Sequence, residues 1–189
     1  MTNSTKENIL IAASELFRKQ GYHATTLNQI SAESKTPRGS VYYYFPEGKE
    51  QLAKEAILRT GNIIKQRIET ALSHNEPVSE LFYAHINRMA NEIDEQKETI
   101  NIFSLIAISR EISETSAILR DTCKAVYDSW IDSFYSKIVE AGFNQEEAKK
   151  LAITVQVLIE GAYAYVVSHQ NAEAMYIISE KVRDLLKKK

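Results

Sequence analysis

The stretch from Thr25 to Lys49, TTLNQISAESKTPRGSVYYYFPEGK, constrains the chain more than any other. It holds two short helices with almost no chain between them. Thr26 and Gln29 have capping-box spacing, a hydroxyl at the N-cap and an amide three residues on. Leu27 and Ile30 follow at helical spacing. Ser34 and Lys35 carry a turn. A second helix opens at Thr36-Pro37, where threonine can cap and proline suits the first helical position, since no amide donor is needed there. Val41 and Phe45 lie one turn apart, so they share a buried face. Arg38, Gly39, Ser40, Tyr42 and Tyr43 are left for the other face.

That second face has the chemistry of a duplex-DNA reader. The planar fork of Arg38 can give a guanine two parallel hydrogen bonds. Gly39 lets the backbone come close to a groove. Ser40 can donate or accept, and Tyr42 and Tyr43 carry rigid hydroxyls that can reach phosphates. Lys49 follows Gly48 at the start of another helix, where its charge and the helix amides could hold a phosphate. Two helices joined by a short turn, the second polar, basic and aromatic, form a helix-turn-helix arrangement. A purely structural helical hairpin has the same local pattern.

The residues around this stretch resemble the TetR/AcrR family of transcriptional repressors. The similarity runs from Ile9-Leu10-Ile11-Ala12-Ala13-Ser14-Glu15-Leu16-Phe17 through Gly21-Tyr22 and Thr25-Thr26 to Gly39-Ser40-Val41-Tyr42-Tyr43-Tyr44-Phe45 and Lys49-Glu50. Pro37-Arg38-Gly39-Ser40 and the Gly48 before Lys49 resemble the LmrA/YxaF-like subgroup. Lys35 stands where many members have glycine. The resemblance implies DNA contacts from Thr25, Thr26, Thr36, Arg38, Gly39, Ser40, Tyr42, Tyr43 and Lys49, with Pro37 in the same surface. It also implies a C-terminal body that pairs two copies and binds a small molecule.

The rest of the chain agrees with such an architecture. Net charge is −2 over 189 residues, divided as +2 on residues 1–49 and −4 on the remainder. A basic head on an acidic body follows. Cys123 is the only cysteine, which excludes an intramolecular disulfide and suits a buried thiol in a reducing cytoplasm. The N-terminus lacks a signal-peptide core. The most apolar run, Leu151 to Val167, is interrupted by Gln156 and Glu160, which argues against a membrane span.

The first helix is expected from Ser4, capped with Glu7, with Ile9, Ala12, Ala13, Leu16 and Phe17 on one face and Gly21 ending it. A long helix runs from Gly48 to about His74, with Gly61 as a possible bend. Pro77 starts another, with Leu81, Phe82, His85, Ile86 and Met89 on its apolar face. A short helix around Ile100 to Ile108 follows, then long ones over 117–140 and 145–169, and a last one through Leu185. The expected fold is all-α. An N-terminal three-helix helix-turn-helix head covers 1–49, and a larger C-terminal helical ligand-binding and dimerisation domain covers 50–189.

The last two helices are apolar on several faces, which implies cover from a second subunit, with a thicker single-chain core as the alternative. Leu151, Val155, Leu158, Ala162 and Val166, with Met175, Ile178, Val182 and Leu185, form the expected seam of a homodimeric four-helix bundle. Phe82, His85, Met89, Phe103, Tyr127, Trp130, Phe134 and Tyr163 are the candidate lining of an effector pocket, suited to an apolar or aromatic small molecule. At helical spacing the same residues would also serve as plain core. No catalytic motif, metal cluster or cofactor loop is present in the sequence, so no enzyme activity, metal or cofactor is expected. The reading is a cytoplasmic, nucleoid-associated homodimeric repressor of a palindromic operator, released by its effector. An activator, or a DNA-binding protein with no effector, is kept as the alternative.

Overall fold

The structure is a computed structural model that describes residues 2–95, 111–112 and 116–187. Its elements are all helical: α1 Thr2–Ala24, α2 Leu27–Glu33, α3 Arg38–Tyr44, α4 Lys49–Ala71, α5 Val78–Asp94, α6 Ala117–Glu140, α7 Gln145–His169 and α8 Glu173–Leu185. The helix expected around Ile100 to Ile108, and Phe103 with it, lies outside the described residues. The chain forms two compact units, residues 1–62 with 100–126, and residues 63–99 with 127–189. Helices α4 and α6 are each continuous across this division.

In the first unit, α1, α2 and α3 pack around Ile9, Ala13, Phe17, Ile30, Val41 and Phe45, all fully buried. This is the three-helix unit that the apolar spacing predicts. Helix α1 is already helical at Thr2, ahead of Ser4, whose side chain lies outside the described residues. At Gly21 the backbone turns to φ 83, ψ 169, a region that is essentially glycine-only. A Cβ there would also lie 2.0 Å from a Glu111 carboxylate oxygen. So Gly21 does more than end a helix: it admits a second segment against the chain reversal.

The two short helices form for local reasons. Thr26 caps α2 by accepting from the Gln29 amide at 3.3 Å, while the Gln29 side chain accepts from the Thr26 amide at 2.9 Å. Lys35 takes a left-handed conformation, φ 51, in the turn. Helix α3 begins one residue later than the sequence suggests. Pro37 is its N-cap, and its carbonyl accepts from Ser40 at 2.8 Å. Thr36 does not cap it; its hydroxyl donates back to the Ser34 carbonyl at 3.1 Å. Helix α4 is held to α1 by Lys6–Glu55 at 2.6 Å and by Arg59–Glu7.

Helix α4 runs unbroken through Gly61. What Gly61 provides is room. A Cβ at this position would meet the two methyls of Val126 on α6 at 2.6 and 2.7 Å. Ser116 sets the start of α6: its hydroxyl donates to Glu50 at 2.6 Å and accepts from the Leu119 amide at 3.1 Å.

In the second unit, α8 packs on α5 and α7. Met175 and Val182 of α8 are fully buried, as are Phe82 and Ile86 of α5. Tyr176 donates to Asn91 and Asp94 at 2.8 and 3.0 Å, fixing the register. Asn144 caps α7 by accepting from the Glu147 amide at 2.9 Å. Helix α7 is long and apolar enough to cross a membrane by composition, yet Ala148, Ala152, Val155, Ile159, Ala162 and Val166 are buried.

Alanine at Gly61 offers about 1 kcal/mol in helix propensity, against about 1–3 kcal/mol for overpacking on a branched side chain. Gly61→Ala is therefore expected to lower the urea midpoint. Val126→Ala in the same chain should recover part of the loss, with a favourable coupling of at least about 1 kcal/mol. Independent, additive effects would remove the contact as the reason for glycine.

Candidate nucleic-acid interface and effector site

On the first unit, α3 presents a largely exposed surface. Pro37, Arg38, Gly39, Tyr42 and Tyr43 are exposed and Ser40 is half-buried. Tyr43 is 79 % exposed and Tyr42 41 %. The Arg38 guanidinium donates to the Tyr42 hydroxyl at 3.2 Å and lies 5.4 Å from its ring centre. These two side chains hold each other one turn apart, which reduces the freedom lost on binding. A Cβ on Gly39 would touch nothing within 4 Å, so this backbone is open to close approach.

Three of the implied contact residues sit differently. Thr25 is fully buried and its hydroxyl donates to the Gly21 carbonyl at 2.7 Å. Thr36 is buried as well. Both threonines brace the backbone from inside. Lys49 directs its ammonium at the carbonyls of Tyr22, Thr25 and His23, at 3.0, 3.0 and 3.4 Å, above the ring of Tyr22. Burial pulls its pKa below the ordinary lysine value, an effect the Glu111 carboxylate opposes. An ammonium has three protons, so a phosphate contact from Lys49 requires exchanging one of these carbonyls. Thr26 is exposed at the α2 cap.

In the second unit, several of the residues expected to line a pocket come together. Phe82 of α5 and Phe134 of α6 have ring centres 5.4 Å apart, and His85 lies 6.5 Å from Phe134. Trp130 is one turn before Phe134, and Tyr127 stands edge-on to it at 5.3 Å. Met89 is one turn beyond His85, and Tyr163 of α7 is buried. An open cleft of about 540 Å³ in this unit is elsewhere. It is lined by His74–Ser79, Lys137, Phe143 and Leu186 and includes none of these aromatic residues.

Two polar residues missed as site candidates belong to this neighbourhood. Glu160 of α7 accepts from the Gln156 amide at 2.8 Å and from the Tyr127 hydroxyl at 3.5 Å. Burial pushes its carboxyl up to about 7, although both hydrogen bonds favour the charged form. The signal in the sequence is the pair itself, four residues apart within its most apolar run. Cys123 is buried and its thiol is pushed up to about 11, so it is not a thiolate at neutral pH. Among the described residues no group of three His, Cys, Asp or Glu side chains could hold a metal ion.

The residues of the expected self-pairing seam are mostly covered by their own chain. Val155, Ala162, Val166, Met175, Ile178 and Val182 are buried within the single chain, and Leu151 and Leu158 are half-buried. Only Leu185 of that set is exposed. The reason is the packing of α8 against both α5 and α7, which consumes the stripe of each helix that the spacing singled out. The apolar surface left outside is Ile153, Val157 and Val167 on α7 with Ile177 and Leu185 on α8.

Two stretches of the chain match known protein families. Residues 9–56 match the family described as bacterial regulatory proteins, tetR family. Residues 78–181 match the LmrA/YxaF-like transcriptional regulator C-terminal domain. The HTH-type transcriptional regulator YxaF of Bacillus subtilis (strain 168) is 36% identical over 98% of this chain and 96% of its own. LmrA of the same organism is 34% identical over 97% of each. Among solved structures, reduced E. coli NemR superposes with a TM-score of 0.85 at 19% identity, covering 97% of this chain and 98% of that one. Bacillus subtilis FadR in complex with stearoyl-CoA superposes at 0.73 with 16% identity, over 95% and 96%.

The Glu160 carboxyl sets a pH dependence. Its folded value is above the ordinary 4.5, so the folded state holds the proton more tightly than the unfolded chain. Stability from this group is fully present below about 4.5 and is lost as pH rises through about 7. Glu160→Gln keeps an acceptor for Gln156 and Tyr127 without the charge. It is expected to raise the melting temperature at pH 8 by roughly 2–4 °C per kcal/mol relieved, and to change little at pH 4.5. Equal shifts at both pH values would count against a buried carboxyl.

Proposed function

Because this chain belongs to the TetR family of bacterial transcriptional regulators and carries an LmrA/YxaF-like C-terminal domain, we propose that it is a homodimeric, ligand-responsive repressor of a palindromic operator. Its relatives are transcriptional regulators, not enzymes. The observation that carries the reading is the exposed, mutually braced pair Arg38 and Tyr42 on α3, with the open backbone of Gly39 between them.

Helix α3 enters the major groove. Arg38 reads a base edge, and Tyr42, Tyr43, Ser40 and the exposed Thr26 reach base or backbone. Pro37 fixes the helix start, and Thr25, Thr36 and Lys49 hold it from below. Two copies related by a twofold axis present two such helices to half-sites one helical turn apart, which requires a palindromic operator. The protein acts in the bacterial cytoplasm, at the nucleoid.

The second copy packs against the outer face of α7 and α8. Val157 is 62 % exposed and Ile177 54 %. Gly161, on the same side of α7 as Val157, has open space where a Cβ would be. Large exposed apolar residues beside a bare backbone suit close helix packing by a partner.

A small apolar or aromatic effector binds among Phe82, Trp130 and Phe134 and favours a head arrangement that no longer fits DNA. FadR, which shares this fold, binds stearoyl-CoA, a ligand with a long apolar acyl chain. The effector shifts the equilibrium only by its difference in affinity for the two states.

Two variants test the reading. Arg38→Ala is expected to lose at least about 1 kcal/mol of operator binding while random DNA is bound nearly as before. Unchanged discrimination between operator and random duplex would end its base-reading role. Val157→Glu is expected to give folded monomers by sedimentation, whereas Val155→Glu, buried in one chain, should unfold. A Val157→Glu dimer with native stability would place self-pairing on another face.

A further inference from the structure

The open cleft of the second unit lies apart from the aromatic cluster and has a chemistry of its own. It measures about 540 Å³, within the range of small-molecule sites. The start of α5 forms one wall. Pro77 is the N-cap there and supplies no side-chain cap; its carbonyl accepts from the Glu80 and Leu81 amides at 2.9 and 3.1 Å. The Val78 and Ser79 amides, in the first turn, have no acceptor within the helix. Ser79 adds a third donor. It is 6 % exposed, its hydroxyl has no hydrogen-bond partner among the described residues, and the little surface it keeps opens into the cleft. A buried hydroxyl left unpaired is costly, so Ser79 gains from a ligand that accepts. Three donors at the positive end of a 17-residue helix suit an acceptor with negative charge.

The charged lining limits how much charge fits. Lys137 of α6 and Lys187 just beyond α8 border the cleft, as do Glu76 and Glu140. Lys137 pairs with Glu140 at 3.4 Å and Lys187 with Asp184 at 2.8 Å. These are surface pairs about one turn apart, worth little, and each ammonium has further protons to offer. The Asp184 carboxyl is held below its ordinary value by the hydrogen bond and charge of Lys187, with Arg183 and Lys181 adding to the effect. The end of α8 is therefore locally positive. Two cations against two carboxylates accept one negative charge, whereas a dianion meets Glu76 and Glu140. Val78, Phe143 and Leu186 give the same cleft apolar surface.

We infer that this cleft is a small-molecule site separate from the aromatic cluster, and that it binds a monocarboxylate with an apolar body. The carboxylate accepts from the Ser79 hydroxyl and from the Val78 and Ser79 amides, with Lys137 and Lys187 beside it. The body lies on Val78, Phe143 and Leu186. None of the aromatic effector candidates lines the cleft, so failure here leaves the effector reading as it stands.

Full-length protein is titrated at constant ionic strength and mildly alkaline pH, where phosphate is mostly a dianion. The probes are sodium benzoate and sodium hexanoate, their neutral counterparts benzamide and hexanamide, and inorganic phosphate, each to about 10 mM so that millimolar binding registers. Binding is read from proton–nitrogen correlation spectra at the Val78 and Ser79 amides. At least one carboxylate is expected to shift both amides saturably, and its amide counterpart and phosphate are not. Ser79→Ala is expected to weaken the carboxylate about tenfold, as loss of one charge-assisted hydrogen bond does, without lowering the melting temperature. Lys187→Gln changes an exposed side chain, should weaken the same probe by a smaller factor, and keeps the test open if Ser79→Ala folds poorly. No shift of either amide by both carboxylates overturns the site. Equal shifts from the neutral amides, or from phosphate, overturn the assigned ligand class. Carboxylate affinity unchanged in both variants overturns the assigned contacts and the site with them.

Discussion

The ammonium of Lys49 gathers three main-chain carbonyls at one point, and the geometry of the head depends on that junction. The carbonyls of Tyr22, His23 and Thr25 belong to the reversal between α1 and α2, so a charge placed on α4 fixes the angle at which the next two helices leave. Charge-assisted bonds of this kind are about twice as strong as neutral ones. The same reversal is closed from other sides. The Thr25 hydroxyl bonds the Gly21 carbonyl, and a Glu111 oxygen accepts from the His23 amide at 3.1 Å. Gly21 must lack a Cβ for that carboxylate to reach the chain. A surface meant to match a rigid duplex gains from a base with so little freedom.

Continuity carries the consequences further along the chain. Helix α4 begins at this junction with Lys49, and α6 begins with Ser116, bonded to Glu50 one residue later. Both helices then run without interruption into residues of the second unit. The candidate effector residues Tyr127, Trp130 and Phe134 are therefore on the same helix whose first turn is tied to the base of the head. No glycine- or proline-rich tether intervenes. On the proposed function, this is the physical route by which a ligand among the rings reaches the recognition helix.

Much of this was legible in the sequence, because the head is built from local rules. The Thr26–Gln29 capping box, the burial of Val41 and Phe45, and the exposure of Arg38 and Tyr43 all follow from spacing within about twenty residues. The partners of Lys49 were not legible because they are backbone carbonyls far back in the chain, and carbonyls leave no trace in side-chain identity. The neighbour of Gly61 was hidden for a similar reason. A glycine in a helix signals a bend or a close neighbour equally well, and the neighbour, Val126, lies in a different helix. The apolar stripes of α7 and α8 were identified correctly as stripes. Which side met the same chain was not legible, since Val155 and Val157 are chemically alike and differ only in what α8 covers. Glu160 and Gln156 were visible as interruptions, but their pairing with Tyr127 depends on the packing of α6 against α7.

The tight contact between Gly61 and Val126 bears on how such a protein could switch. Close-packed interiors do not deform smoothly; side chains that interdigitate move between discrete arrangements. With both valine methyls lodged where a Cβ would be, α4 and α6 cannot slide past each other by a fraction of an ångström without leaving one seating for another. A ligand that binds one seating better than the other then shifts a population between two states, and it needs several kcal/mol of differential affinity to move it nearly completely.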